Sequence, residues 1–341
     1  LIRLACHLHI SMSAGEIVKT IVDEMKGTTQ TISRNEEVLS MLRSFEEILK
    51  KAESLPSVKV AVAAADDQDV LEAVRDAMQH GIADFLLFGD EAKIREISRE
   101  IGLDIKDGQI IHADSPAQAS KMAVSAVRDQ QADVVMKGMV QTADFLRAVL
   151  NKEKGLRTGA VLSHVATFEV PGYDHLIHVT DPALNVAPDL KEKTQIAQNV
   201  IRYCHTLGNT EPKVAVLGAV EVVNPNMDAT LHAAALAQMN RRGQIKGALV
   251  DGPFALDNAV SVRAAEHKGI DSPVAGRADV LLVPDIEAGN MLYKSMVYFA
   301  NSKIGAVVLG AAAPVVLTSR ADSPESKLYS IALAVLQAAA Q

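Results

Sequence analysis

From residue 58 to the last residues of the chain, short β-branched or apolar runs alternate with longer segments whose apolar residues recur at helical spacing. Parallel strands cannot be joined by tight turns and need a crossover, which helices on the two faces of a sheet supply. The alternation therefore predicts an α/β fold with a mostly parallel sheet. Strands are expected over residues 58–65, 84–88, 109–112, 133–136, 161–170, 176–180, 214–220, 248–251, 280–283, 305–309 and 315–318. Helices are expected between them, over 70–78, 91–101, 116–128, 142–150, 190–204, 229–241, 259–267, 289–301 and 324–339. Sheets of this kind bind ligands beyond the carboxyl ends of their strands, so the residues just after each strand are the natural candidates for function.

Two helical segments, 14–26 and 35–52, precede the first strand. The second carries Val38, Leu42, Phe45 and Leu49 on one face and is expected to pack on the sheet. The length of 341 residues favours two domains over one. The longest apolar stretch, 304–317, contains Pro314 and falls short of the ~20 residues that a membrane span needs, so no membrane helix is expected. A formal charge of −8 without a dense basic block argues against nucleic acid as a partner; any anionic ligand requires a locally positive site. Cys6 and Cys204 are too few for a disulfide framework and fit a reducing, cytoplasmic setting. Residues 1–13 make a poor secretory signal and read as an upstream extension, with Met12 and Met41 both standing as possible starts.

The sharpest constellation is Thr318-Ser319-Arg320-Ala321-Asp322-Ser323-Pro324-Glu325-Ser326, between a strand and the final helix. Ser323 suits an N-cap and Pro324 the first helical position, and a helix N-terminus offers N–H groups to phosphate. Arg320 adds a planar bidentate donor and Ser319 a hydroxyl. Plain capping beside a solvated arginine explains these residues about equally well. A second candidate runs from Lys137 through Thr142 to Arg147, where the plainer reading makes Thr142 a cap and leaves Arg147 in solvent. The third is Gly289, Asn290 and Lys294 after Pro284, otherwise an ordinary strand-to-helix connection. The chain has neither GxxxxGK[ST] nor GxGxxG, which argues against a P-loop and against the dinucleotide fingerprint. Turn chemistry accounts for 222–226 and 251–259. His175 and His178 fall on opposite faces of an expected strand, and with no HExxH or Cys/His cluster no metal is expected. His164, His205 and His267 read as core or surface residues, and no GxSxG elbow supports a serine hydrolase.

Several ordered blocks resemble the phosphate acetyl/butyryltransferase family, and its phosphate butyryltransferase branch in particular. They are KGMVQTADFLRAVL (137–150), GLRTGAVLSHVATFEVPGYDHLIHVTDPALNVAPDL (155–190), AVEVVNPNMDATLHAAAL (219–236), DGPFALDNAVS (251–261), ADVLLVPDIEAGNMLYKSMVYFA (278–300) and APVVLTSRADSPESKLYSIALA (313–334). The resemblance covers residues 41–341 and leaves 1–40 outside it as an N-terminal extension. It implies reversible transfer of a short acyl group, butanoyl or branched C4–C5, between coenzyme A and inorganic phosphate. Both are substrates, and no permanently bound cofactor is expected. It also implies two α/β/α sandwich domains with the active site in the cleft between them: a discontinuous first domain of 41–153 plus 306–341, a second of 154–305, and a homodimer or larger homo-oligomer.

Carried over residue by residue, the resemblance puts Ser319 and Arg320 at the reacting centre and matches Arg147 to an arginine of the TAD-containing block. The acetyltransferases place a catalytic aspartate seven residues after the serine, where this chain has Ser326; Asp322 or Glu325 could act as base instead, or no such base is needed. Lys137, Thr142, Arg147, Gly289, Asn290, Lys294 and Ser323 are then the expected phosphate- and CoA-binding set. Phosphate attack on a thioester requires an anion clamp, an oxyanion donor and a route for the thiol proton. The competing readings are a phosphate acetyltransferase, a non-catalytic acyl-CoA-binding protein and a metal-dependent NAD dehydrogenase of similar architecture.

Overall fold

A computed structural model describes residues 41–319 and 321–341. In chain order the elements are α1 (Phe45–Glu53), β1 (Val58–Ala63), α2 (Gln68–Gln79), β2 (Ala83–Gly89), α3 (Glu91–Ile101), β3 (Ile110–His112), α4 (Pro116–Arg128), β4 (Val134–Lys137) and α5 (Thr142–Val149). There follow β5 (Ser163–Glu169), β6 (Ile177–Thr180), α6 (Leu190–Thr206), β7 (Lys213–Leu217), α7 (Asp228–Arg241), β8 (Leu249–Phe254), α8 (Leu256–Val260) and α9 (Val262–His267). The chain ends with β9 (Val280–Leu282), α10 (Ile286–Tyr298), β10 (Lys303–Leu309), β11 (Val315–Val316) and α11 (Pro324–Ala339).

All strands among the described residues join one sheet of order β3-β2-β1-β4-β11-β10-β5-β6-β9-β7-β8. The pairs from β3 to β11 are parallel, as are those from β6 to β8. Between these blocks, β10 runs antiparallel to both β11 and β5, and β5 antiparallel to β6. β11 is short because it is wedged: Val315 and Val316 pair with Val135 and Met136 of β4 while Val308 of β10 faces Val315. The chain thus returns to its first half for the last strand and helix. Three apolar clusters fill the space around the sheet, and α11 lies in the largest, buried continuously from Lys327 to Gln337. Such a helix, buried all round, belongs inside a protein, and it packs on β10, α1 and α2.

The helical phase expected over 35–52 starts later among the described residues. Ser44 caps α1 by accepting from the Glu47 N–H, so Leu42 lies outside the helix, where its N–H bonds the Leu207 carbonyl. The helix expected over 14–26, and Val38, fall outside the described residues. The single helix expected over 259–267 is two, because Ser261 takes extended angles and caps α9 with its side chain. Asp285 caps α10, which begins three residues before the expected start, so Gly289 and Asn290 lie a turn inside the helix rather than at its first positions. No helix of the described residues is long and apolar enough to cross a membrane.

A polar thread runs through the second half of this core. The Thr167 hydroxyl bridges His178 Nδ1 at 2.9 Å and the Tyr203 hydroxyl at 2.5 Å, and the rings of His178 and Tyr203 meet edge to face. Burial drives the His178 pKa down from 6.5 to about 3, with a smaller contribution from His175. Between these two values the unfolded chain takes up a proton that the folded chain refuses, so stability falls as pH falls. The slope from this one group is at most about 1.4 kcal/mol per pH unit. His178→Gln, which keeps a partner for Thr167 without titrating, is expected to flatten the change in urea midpoint between pH 7 and pH 5. Parallel pH dependences in the two proteins would rule out His178 as the source.

Candidate functional site

β4 and β11 lie side by side and parallel, so their carboxyl ends deliver Lys137 and Thr318 to the same edge of the sheet. Lys137 is buried, and its Nζ donates to the carbonyl of Thr318 at 3.3 Å and to that of Gly138 at 3.2 Å. The chain then turns tightly against the end of β1, where the Gly138 and Met139 N–H groups bond the carbonyls of Ala63 and Ala64. A Cβ at position 138 would lie 2.2 Å from the Ala64 oxygen and 2.7 Å from that of Ala63, so only glycine lets the loop pass. Thr142 opens α5 a few residues beyond this turn. The N-cap of α5 is Gln141, which makes no side-chain cap bond, so Thr142 is not the cap that the sequence suggested.

Beyond β11 the chain closes on itself. The Ser319 N–H donates to Asp322 Oδ2 at 2.7 Å, the Asp322 N–H to the Ser319 carbonyl at 3.2 Å, and the Ala321 N–H to the Ser319 hydroxyl oxygen at 3.3 Å. With its oxygen accepting from Ala321, the exposed Ser319 hydroxyl keeps its own proton to donate. Arg320 lies outside the described residues. Ser323 caps α11 as expected, accepting from the Ser326 N–H at 3.2 Å and sharing a hydrogen bond with the Ser326 hydroxyl. That cap occupies one N–H of the helix end and Pro324 has none, so less of this N-terminus faces an anion than its sequence suggests.

Asp322 is where the two halves of the sheet meet electrostatically. Tyr293 of α10 has its phenol pKa pushed up, first by burial and then by the Asp322 carboxylate. His164, at the start of β5, is held neutral by burial, against the opposing pull of Asp181, Asp322 and the Leu317 backbone. Its Nδ1 is buried without a hydrogen-bond partner. Asp181 follows β6 and accepts from the N–H groups of Ala183, Leu184 and Asn185, folding that loop against α10. Gly289 makes this packing possible, since a Cβ there would sit 2.8 Å from Cα of Pro182. Asn290 is exposed, and its amide reaches the Pro182 carbonyl at 3.4 Å.

Lys137, Ser319 and Asp322 are therefore brought together, with Gly289 on the neighbouring helix, while Glu325, Lys294 and Arg147 have other partners. Glu325 accepts from the Tyr329 hydroxyl at 2.6 Å, and Tyr329 stacks on Phe45. Lys294 lies over the rings of Tyr293 and Tyr298. Arg147 is exposed and paired with Asp144, lining a separate cleft of about 700 Å³ with Lys121, Lys154 and Asn151. None of the described residues 318–326 lines that cleft.

Two residues escaped sequence reasoning. His164 sits in a run that reads as buried strand, and only the pairing of β5 with β10 and β6 sets it near Asp322. Lys327 left a visible signal: it shares a helical face with Ile331, Ala334 and Val335, all buried, an unusual place for a lysine.

The family profile described as phosphate acetyl/butaryl transferase matches residues 44–122 and 113–335. The phosphate butyryltransferase of Clostridium acetobutylicum is 53% identical over 298 residues, 87% of this chain and 99% of that protein. The phosphate acetyltransferase of Thermotoga maritima is 47% identical over 278 residues, 82% and 94% of the two chains. A solved branched-chain phosphotransacylase from Enterococcus faecalis V583 superposes with a TM-score of 0.72 at 33% identity, covering 82% of this chain and 99% of its own.

Gly138→Ala tests the turn beneath this site. It is expected to cost about 1–3 kcal/mol, the usual range for forced overpacking, and to lower the melting temperature by several degrees. An unchanged melt would mean that the Ala63–Ala64 backbone yields to the new methyl group.

Proposed function

Because this chain belongs to the phosphate acetyl/butaryl transferase family and so transfers an acyl group between coenzyme A and inorganic phosphate, we propose that its acyl group is butanoyl or a branched C4–C5 chain and that the Ser319–Asp322 loop is the reacting centre. The observation that carries the site assignment is that loop: a serine whose hydroxyl proton is free to donate, an aspartate folded onto its backbone, and a buried lysine at its entry. Higher identity to the butyryl than to the acetyl relative supports the longer acyl range.

In the forward direction a phosphate oxygen attacks the thioester carbonyl carbon. The C–S bond then breaks, the attacking phosphate gives up its hydroxyl proton to Asp322, and that proton passes to the departing sulfur to leave CoA as the thiol. Arg320, by its resemblance to the family's serine-arginine pair, and Lys137 supply positive charge for phosphate. Ser319 donates to the carbonyl oxygen or to the departing sulfur as charge develops there. One such donor is worth about 2.7–4 kcal/mol of barrier in a preorganised site. Asp322 takes the thiol proton in the reverse direction, in preference to Glu325, whose carboxylate is held by Tyr329. Positioning of the two substrates contributes further, since aligning two reactants is worth about 7–11 kcal/mol. Arg147, with Lys121 and Lys154 beside it, suits the polyanionic part of CoA better than the reacting phosphate, because its cleft is separate from the loop. Thr142, Asn290, Lys294 and Ser323 complete the proposed binding set.

The same proposal takes 41–153 with 306–341 and 154–305 as two lobes that meet at the antiparallel strands β10 and β5. A homodimer is supported by the exposed apolar side chains of Met291, Tyr298 and Phe299 along α10 and its end. A cytoplasmic setting fits the substrates and the buried free thiol of Cys204.

Release of free thiol from acetyl- to hexanoyl-CoA and branched acyl-CoAs, with and without phosphate, tests the reading. Phosphate-dependent release peaking at C4 or a branched neighbour is expected, although one methylene is worth only about 1–3 kcal/mol of discrimination. A peak at acetyl would move the chain to the acetyltransferase side, and binding without release would leave an acyl-CoA-binding protein. Arg320→Ala is expected to raise the phosphate KM or lower kcat by orders of magnitude; wild-type kinetics would remove Arg320 from the site.

A further inference from the structure

The Ser319–Asp322 loop is held at both ends by buried ammonium groups. At its entry Lys137 donates to the Thr318 carbonyl. At its exit Lys327 Nζ donates to the carbonyl of Asp322, and its only ion-pair contact among the described residues is Asp69 Oδ2 of α2, at 3.9 Å. The Lys327 side chain is 3% exposed, whereas that of Asp69 is 49% exposed. Sinking an ammonium this far costs several kcal/mol, which a half-exposed carboxylate at 3.9 Å offsets poorly, and an apolar side chain at this place in α11 would fold at least as well. Packing therefore does not explain the charge. What Lys327 holds is the backbone of the residue whose carboxylate is folded onto Ser319.

Building on the assignment of Ser319 and Asp322 to the reacting centre, we propose that Lys327 is a positioning residue for acyl transfer: by fixing the Asp322 carbonyl it sets the angle at which the Asp322 carboxylate meets Ser319 and the thiol proton. The ammonium touches neither substrate. It acts on turnover through Asp322, leaving acyl-CoA and phosphate affinity nearly untouched. Misplacing a reacting group by about 1 Å can cost ~100-fold in rate, which sets the size of effect to look for.

The test is a cycle of variants at Lys327 and Asp322 in the full-length protein, read by thermal melting and by thiol-release kinetics. Lys327→Met is expected to melt within a few degrees of wild type, to lose ~10- to 100-fold in kcat, and to keep both KM values within about threefold. Lys327→Arg, which keeps a charged donor, should recover part of the loss. In an Asp322→Asn background the same replacement should cost little further, because there is no carboxylate left to aim. Should Lys327→Met fail to fold, Lys327→Arg enters the cycle in its place, and its smaller loss must likewise vanish beside Asp322→Asn. Equal losses in both backgrounds, or wild-type turnover in a folded Lys327 variant, would overturn the role of Lys327. If Ser319→Ala and Asp322→Asn both turned over normally, the reading of the loop itself would fail, a separate and recognisable result.

Discussion

The wedging of β11 between β4 and β10 is the constraint on which the rest of the site depends. Two register pairs with β4 and one with β10 hold a strand of two residues, yet they fix where the chain leaves the sheet. Every later contact follows from that exit point: the Thr318 carbonyl within reach of Lys137, the closed Ser319–Asp322 turn, and the start of α11. A strand this short cannot hold itself. It is held by α11, whose long buried run anchors the far side of the loop in the main core.

Several of the buried polar groups lie around this exit. Lys137 and Lys327 both donate to backbone carbonyls from buried positions, and His164 keeps an unpaired ring nitrogen in the interior. Groups of this kind are expensive in a core and persist where geometry must be defined more tightly than apolar packing defines it. The neighbouring packing is correspondingly close: Gly138 against the end of β1 and Gly289 against the 181–182 backbone both leave no room for a methyl group. The loop proposed to react therefore rests on closely packed backbone even though Ser319 itself is exposed.

Much of this was legible beforehand, for identifiable reasons. Strand positions follow from local β-branched runs, and caps such as Ser323 and Asp285 follow from side-chain chemistry within three residues. Where local signals compete, the sequence misplaced boundaries. Ser261 could end one helix or begin another, and Asp285 lies close enough to Gly289 for either to have marked the start of α10. Among the candidate residues, Ser319 and Asp322 stood out because they share one short segment. The partners of Arg147 and Glu325, Asp144 and Tyr329, were chosen by neighbours on the folded helices rather than by any motif in the chain.

The sequence by itself determined the α/β alternation and the family, and it singled out the short segment proposed to carry the chemistry, because each is written in local periodicity or in ordered motifs. Only the tertiary structure decided the strand order, the antiparallel junction of β10 and β5, and the electrostatic influence of Asp322 on His164 and Tyr293. Those are relations between segments far apart in the chain, created when burial of the sheet faces forces distant strands into register. No pattern within a single segment encodes them.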